Sequence, residues 1–399
     1  MNVGTTASII VEIAGTFNPH VIELVKTVYG EHRQYEPWLR DMQPLAQVGI
    51  VRSHDSLEFR PGARNDPSGQ AAPHGEDFRG WCQALIAAHQ LWDVVPSHLL
   101  DAKHLERFQV LLLPSVSCMS PAECAAVRAF VRRGGVLIAD AETSLFDSDG
   151  HQQQDFQLAD VFGASLAAQC SADRSHLHVE DQAFQASQPW GESTLPMTEG
   201  QWGVKAAAGA RVLGTVRANP GLSLVSVLVA TGEPAFLLSP CGTGRCYYFA
   251  GAIGRQYRRY GQANVFQLMR KVLAAAAGKA APVALDAPAS VELFAHTQPG
   301  KEHLVVNLVN VFGGLSRSDG RALSQAGKAE VEGDIRHDEY EESPRLSQVV
   351  LRFRTWRGKP LRRTLLAPDS QELPCRTEGS ETLVTVKDLA EHAMIVAEY

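Results

Sequence analysis

The sequence predicts an α/β fold in which an open, flavodoxin-like sheet domain is followed by a small antiparallel β-sandwich. Three observations carry this. Short, continuous apolar runs at Val48-Gly-Ile-Val51, Gln109-Val-Leu-Leu-Leu113 and Val136-Leu-Ile-Ala139 alternate with segments of helical apolar spacing. Strands buried on both faces read this way, and right-handed crossovers then build an open parallel sheet. Beyond an Ala-rich linker, Ala274–Ala281, and Pro282, the helical spacing stops and strand-like runs separated by turns take over.

The elements follow in chain order. Residues 1–45 form a helical lead-in, too short for a domain, with a helix from about Pro19 to Met42 whose apolar stripe is Val21, Leu24, Val25 and Val28. The strand Val48–Val51 ends at Ser53-His54-Asp55, and a polar loop rich in Gly and Pro follows. Phe78, Trp81, Cys82, Leu85, Ile86 and His89 then recur at helical spacing and define a buried face. Ser120-Pro121-Ala-Glu123 is a helix start, with a capping Ser, Pro at the first helical position and Glu three residues after the cap. Gly134-Gly135 ends that helix. Residues 164–235 are irregular and add strands and loops. Pro234–Leu238 and Cys246–Ala250 read as a β-pair turned at Gly242-Thr-Gly244, and a helix from about Ala263 to Ala277 closes the domain. The last domain has strands at Ser290–His296, His303–Val309, Val349–Phe353, Leu361–Leu366, Thr382–Val386 and Ala393–Ala397, with a polar surface loop at Ser316–Pro344. The expected division is therefore 1–45, 46–280 and 281–399.

Of the 399 residues, 45% are hydrophobic and 20% charged, which is ordinary globular composition. The net charge of -7 leaves no basic footprint for nucleic acid and no attraction to anionic membranes, so neither is expected as a partner. The seven cysteines are irregularly spaced with no CxxC pair, which argues against zinc ribbons and redox motifs, and most of them sit in apolar runs as small core thiols, which suits a reducing compartment. The apolar stretch Ala7–Ala14 is interrupted by Glu12 and has no preceding Lys or Arg, so it makes a poor signal peptide. No run reaches the ~20 apolar residues of a membrane helix. A cytoplasmic location is the simplest expectation.

Candidate site residues come from strand ends. Ser53 and His54 follow the first strand, and Asp140 and Glu142 follow Val136–Ala139. Ligands of open α/β sheets bind at this carboxyl edge, although capping and solvated loops occupy it too. The loop Ala141-Glu-Thr-Ser-Leu-Phe-Asp147 adds Thr143, Ser144 and Asp147. So many polar groups are not expected in a core. A self-bonded turn is expected instead, with Thr143 or Ser144 capping backbone and Asp147 fixing the bend before Gly150. Cys118 sits between a strand and a helix, where amidotransferases place a nucleophile. Its context, Ser-Val-Ser-Cys-Met-Ser, lacks the small residues of a nucleophile elbow, and a packed thiol is expected. His74, His89 and His104 match no metal spacing, and His89 reads as a packed core residue. Gly242-x-Gly244 is not a dinucleotide fingerprint. No catalytic, cofactor or metal residue is assigned.

Several of these motifs, in this order, resemble family 42 β-galactosidases and related glycoside hydrolases outside their barrel. They are Gly134-Gly135-Val-Leu-Ile, Glu142-Thr-Ser-Leu-Phe-Asp147 with Asp155-Phe-Gln-Leu-Ala-Asp-Val-Phe-Gly163, Gly242-Thr-Gly-Arg245 with Tyr247-Tyr-Phe-Ala-Gly251, and Val305-Val-Asn-Leu-Val-Asn310. Phe146 stands where the family has Tyr. The resemblance spans roughly residues 46–399. It implies a class I glutamine-amidotransferase-like trimerisation domain without that fold's chemistry, a C-terminal β domain and a homo-oligomer, most simply a trimer. The family's catalytic glutamates lie on a (β/α)8 barrel of about 250 residues. Only 45 residues precede the sheet domain here, so the paired carboxylates of glycoside hydrolysis carry over to no position. An accessory, non-catalytic region is the leading expectation. The alternatives are a carbohydrate-binding protein, for which an exposed Trp190–Trp202 pair would speak, and a small amidohydrolase using Cys118.

Overall fold

The computed structural model describes residues 19–60, 73–186, 193–218, 228–277, 281–311 and 344–399. The chain divides into two units, one of residues 46–280 and one that joins residues 1–45 to 281–399.

The first unit is built on a nine-stranded mixed sheet. Its parallel part runs, in spatial order, Trp92–Pro96, Val48–Arg52, Val110–Leu113, Val136–Asp140 and Gly244–Phe249. Numbered along the chain this is the order 2-1-3-4-5, the flavodoxin order. The antiparallel strands Val229–Cys241, Arg211–Ala218, His176–Val179 and Thr194–Pro196 extend the sheet beyond the fifth strand. Ala164–Ser171 and Gln201–Ala206 form a separate pair. Val110–Leu113 and Val136–Asp140 are buried at every position, as strands covered on both faces must be. The hairpin between Val229–Cys241 and Gly244–Phe249 turns at Gly242, whose φ of 62° places a Cβ, were one present, 2.6 Å from the Arg132 carbonyl. Only glycine fits there.

The helix Pro121–Arg132 carries the complete capping box: Ser120 Oγ accepts from the Glu123 N–H, and the Glu123 carboxylate accepts from the Ser120 N–H at 2.7 Å. The helix Pro73–Ala87 keeps part of the expected face: Trp81 and Leu85 are fully buried, and Phe78 and Cys82 pack against the core. Its buried residues are His74, Gly75, Asp77, Gly80, Trp81, Ala84 and Leu85, while Phe78, Cys82, Ile86 and His89 are only half-buried. The buried side extends to Asp77 and Gly80 because the helix crosses Ile253–Tyr260 backbone to backbone. A Cβ on Gly80 would lie 1.8 Å from the Gly254 carbonyl oxygen. His89 is not a core histidine; it lies past the end of the helix with a φ of 49°. Most of the thiols are in or against the core, as expected. Cys118, Cys124 and Cys246 are buried, Cys82 and Cys241 half-buried, and Cys170 and Cys375 exposed.

The second unit contains two antiparallel sheets. One runs Gln43–Pro44, Val291–Thr297, His303–Asn310, His392–Glu398, Arg363–Ala367, Gln371–Leu373, and the other Val283–Asp286, Leu346–Phe353, Glu381–Leu389, Cys375–Glu378. The helix Pro19–Leu39 packs Tyr35, Trp38 and Leu39 against Val305, Ala367, Met394 and Val396. The expected stripe is not its packed side: Leu24 and Val28 are exposed. The core-facing residues are Tyr35, Trp38 and Leu39 of its last turns. Residues 316–343 of the expected surface loop lie outside the described residues. Among the described residues no helix is long and apolar enough to cross a membrane.

Candidate functional site

The carboxyl edge of the parallel strands gathers most of the polar residues that strand-end position singles out. Ser53 follows the first strand and caps the short helix His54–Glu58, its Oγ accepting from Ser56 N–H at 3.1 Å. His54, one residue on, is exposed. The Ser53 N–H donates to His74 Nε2 at 2.9 Å, and His74 Nδ1 lies 2.7 Å from the Pro114 carbonyl. Two fixed backbone partners therefore assign the neutral tautomer with the proton on Nδ1. Burial pushes the His74 pKa down to about 4.

The fourth strand ends in Asp140, which is fully buried beside a second carboxyl, Asp77 from the helix Pro73–Ala87. Ser115 bridges the two. Its N–H donates to Asp140 Oδ1 at 2.7 Å and its Oγ to Asp77 Oδ2 at 2.8 Å. Trp81 Nε1–H donates to Asp140 Oδ2 at 2.8 Å, and the Arg255 N–H to Asp77 Oδ1 at 2.7 Å. Ser115 has a φ of 44°, a conformation that costs a non-glycine residue energy and is held by these bonds.

Glu142, Thr143 and Ser144 are buried, which corrects the expectation that the loop stays out of the core. Burial is tolerable because every group has a partner. Arg60 Nε and Nη2 donate to Glu142 Oε1 and Oε2 at 2.7 and 2.8 Å, and Ser117 Oγ donates to Oε1 at 2.8 Å. Thr143 Oγ1 meets the carbonyls of Asp140 and Leu113 and accepts from Val116 N–H. Ser144 Oγ accepts from Leu158 N–H. Asp147 is half-buried, and its Oδ1 accepts from the N–H groups of Asp149 and His151, which form the bend before Gly150. Asp147, Asp149 and His151 offer ligand atoms within 4.8 Å of one another, but the two acids and the imidazole are those of an ordinary surface turn.

The arrangement has little free chemistry. Burial, reinforced by Glu142, Asp55 and Asp147, pushes the Cys118 thiol up to about 12, so the thiolate that a nucleophile requires is suppressed. Trp202 is buried, and Trp190 lies outside the described residues. Two open concave surfaces lie elsewhere. One is lined by Ala168, Arg174, Lys205, Thr231 and Glu233, and the other, in the second unit, by Arg33, Glu36, Arg40, Gln298 and Lys301. Sequence position found Ser53, Asp140, Glu142, Thr143 and Ser144. It missed Arg60, His74, Asp77 and Ser115, which reach the same edge from other segments. The one available signal was Asp77, a charged residue one turn before Trp81 on a helix face that must be covered.

The family model described as β-galactosidase trimerisation domain matches residues 46–277. No curated protein matches the sequence. Among solved structures, the chain is similar to α-L-fucosidase isoenzyme 2 from Paenibacillus thiaminolyticus, with a TM-score of 0.71 and 17% identity over 96% of this chain and 53% of that one. It is similar to the β-galactosidase from Bacillus circulans sp. alkalophilus, with a TM-score of 0.60 and 14% identity over 98% and 46%. The β-galactosidase from Rahnella sp. R3 gives 0.54 and 17% over 76% and 41%. These likenesses are of fold, and the chain spans about half the length of the structures it matches.

Proposed function

The chain belongs to the β-galactosidase trimerisation domain family through residues 46–277, and from that membership we propose that it is a non-catalytic assembly module of a glycoside-hydrolase-type protein. The observation that carries this reading is that, among the described residues, the buried polar groups at the carboxyl edge are closed on one another. In an open α/β sheet a ligand binds there through groups that point outward. Here Asp77, Asp140, Glu142, Thr143 and Ser144 are satisfied by the chain itself. Glycoside hydrolysis needs two carboxyl groups flanking an open cleft. The pair Asp77 and Asp140 is sealed from solvent, so no sugar reaches it. An amidotransferase-type frame without amidotransferase chemistry agrees with the suppressed Cys118 thiol. Glycoside chemistry, where the parent system performs it, belongs to a separate catalytic domain.

The homo-oligomer is the positive part of the proposal, with three copies as the expected number. Static light scattering across micromolar concentrations should give three times the 43.3 kDa chain mass. A single-chain mass at every concentration would reject the assembly role. Turnover of chromogenic glycosides by the purified chain, free of host β-galactosidase, would reject the non-catalytic one.

A further inference from the structure

Asp77 and Asp140 are not used by the proposed function, and their surroundings are unusual. Both carboxyls are fully buried. Their four oxygens accept from two backbone N–H groups, one indole N–H and one hydroxyl. Among the described residues no cationic side chain bonds to either. A carboxylate loses several kcal/mol of hydration on burial, and two adjacent ones repel as well. Neutral donors alone do not offset two such charges at close range. The same problem arises wherever two carboxyls share a dry site, and one proton held between them resolves it.

We propose that Asp77 and Asp140 share a single proton at neutral pH and act as a pH-sensitive lock on the crossing of the helices Pro73–Ala87 and Ile253–Tyr260 over the carboxyl edge of the sheet. The pair touches every element of that crossing. Asp77 belongs to the first helix and receives the Arg255 N–H in the first turn of the second. Asp140 ends a central strand and receives the Trp81 indole from the first helix. Ser115, at the end of the neighbouring strand, holds both. Loss of the shared proton places two like charges at the point where the two helices are in backbone contact through Gly80 and Gly254.

The charged and titratable groups facing the pair agree with this. Arg255 turns its guanidinium to Glu199 at 3.9 Å and acts on Asp77 only at a distance. The phenol of Tyr248, on the adjoining strand, donates to the Ala141 carbonyl and is held protonated by burial and by Asp140. Glu142 is neutralised by Arg60. Burial raises both Asp77 and Asp140 above the usual carboxylate range. Raised carboxyl values give stability that is complete below about pH 4 and is lost as pH rises through the pair's own value.

The test uses the full chain. Thermal unfolding is followed from about pH 6 to about pH 9, a window above the ordinary carboxylate range, for the natural chain and for Asp77→Asn. The amide of Asp77→Asn can face the Ser115 hydroxyl, which is free to turn and accept. It supplies permanently the hydrogen that the proton supplies in the pair. The natural chain should lose several degrees of Tm more than Asp77→Asn as pH rises. Parallel curves overturn the proposal. Asp140→Asn serves if the first variant does not fold. Independently, infrared spectra in D2O at neutral pH should show the C=O stretch of one protonated carboxylic acid. They are recorded on a Glu292→Gln background, because burial also raises Glu292. The absence of that band overturns the proposal whatever the variants do.

Discussion

Acidification should destabilise the sheet unit through His74 in a way that one substitution removes. The imidazole is fully buried, neutral, and bonded to Ser53 N–H and the Pro114 carbonyl. In the unfolded chain it titrates near ~6.5, and in the folded chain at about 4. A base held neutral by folding gives stability that is complete above its unfolded value and lost as pH falls towards its folded one. The two values bound the loss at about 3 kcal/mol below pH ~4, with roughly 2 kcal/mol already gone at pH ~5. His74→Gln retains an acceptor for Ser53 and a donor for Pro114 but does not titrate. Urea unfolding at pH ~7 and pH ~5 should show the natural chain losing roughly 2 kcal/mol more than the variant. His178, His303 and His392 are also lowered by burial, but they titrate in both proteins and cancel. Equal acid losses would refute the reasoning.

Other expectations are independent of this one. Gly80→Ala forces a methyl against the Gly254 carbonyl and should cost at least the upper end of the ~1–3 kcal/mol range of overpacking, read by urea unfolding. A near-neutral result would mean that the helices do not cross there. Asp147→Ala removes the acceptor of two turn N–H groups and should lower Tm by a few degrees while leaving the mass in light scattering unchanged. An unchanged Tm with a changed mass would make the loop an interface. Iodoacetamide at mildly alkaline pH should modify Cys375, which is exposed, well before Cys118, which is buried and raised to about 12. Early loss of Cys118, mapped by peptide mass, would reopen nucleophilic chemistry at that position.

The parallel core was legible because its strands announce themselves as unbroken apolar runs. The strand Trp92–Pro96 was not, since Asp93 interrupts it and, at the sheet edge, only Val95 is buried. The face of Pro73–Ala87 was only partly legible for a related reason. Apolar periodicity registers Trp81 and Leu85 but not His74, Asp77 and Gly80, which are there for hydrogen bonding and close approach rather than for burial of apolar area. The candidate site divides in the same way. Residues that directly follow a strand could be placed from local pattern, whereas Arg60, His74, Asp77 and Ser115 meet Asp140 and Glu142 only through tertiary structure. Whether a polar loop is buried depends on those distant partners, and so the burial of Glu142, Thr143 and Ser144 could not be read from the loop alone.

The joining of residues 1–45 to 281–399 in one unit sets a timetable for synthesis. Tyr35, Trp38 and Leu39 leave the ribosome well before the strands that cover them, which begin beyond residue 281. At the usual ~5–20 residues per second, the roughly 240 intervening residues take about 12 to 48 seconds to make. Through that interval the aromatic turns of the first helix have no lasting cover from their own unit, while the whole 46–280 unit can emerge and fold. Until then those turns are the part of this unit most open to aggregation and chaperone capture. The core around that helix closes only when the strands beyond residue 281 arrive.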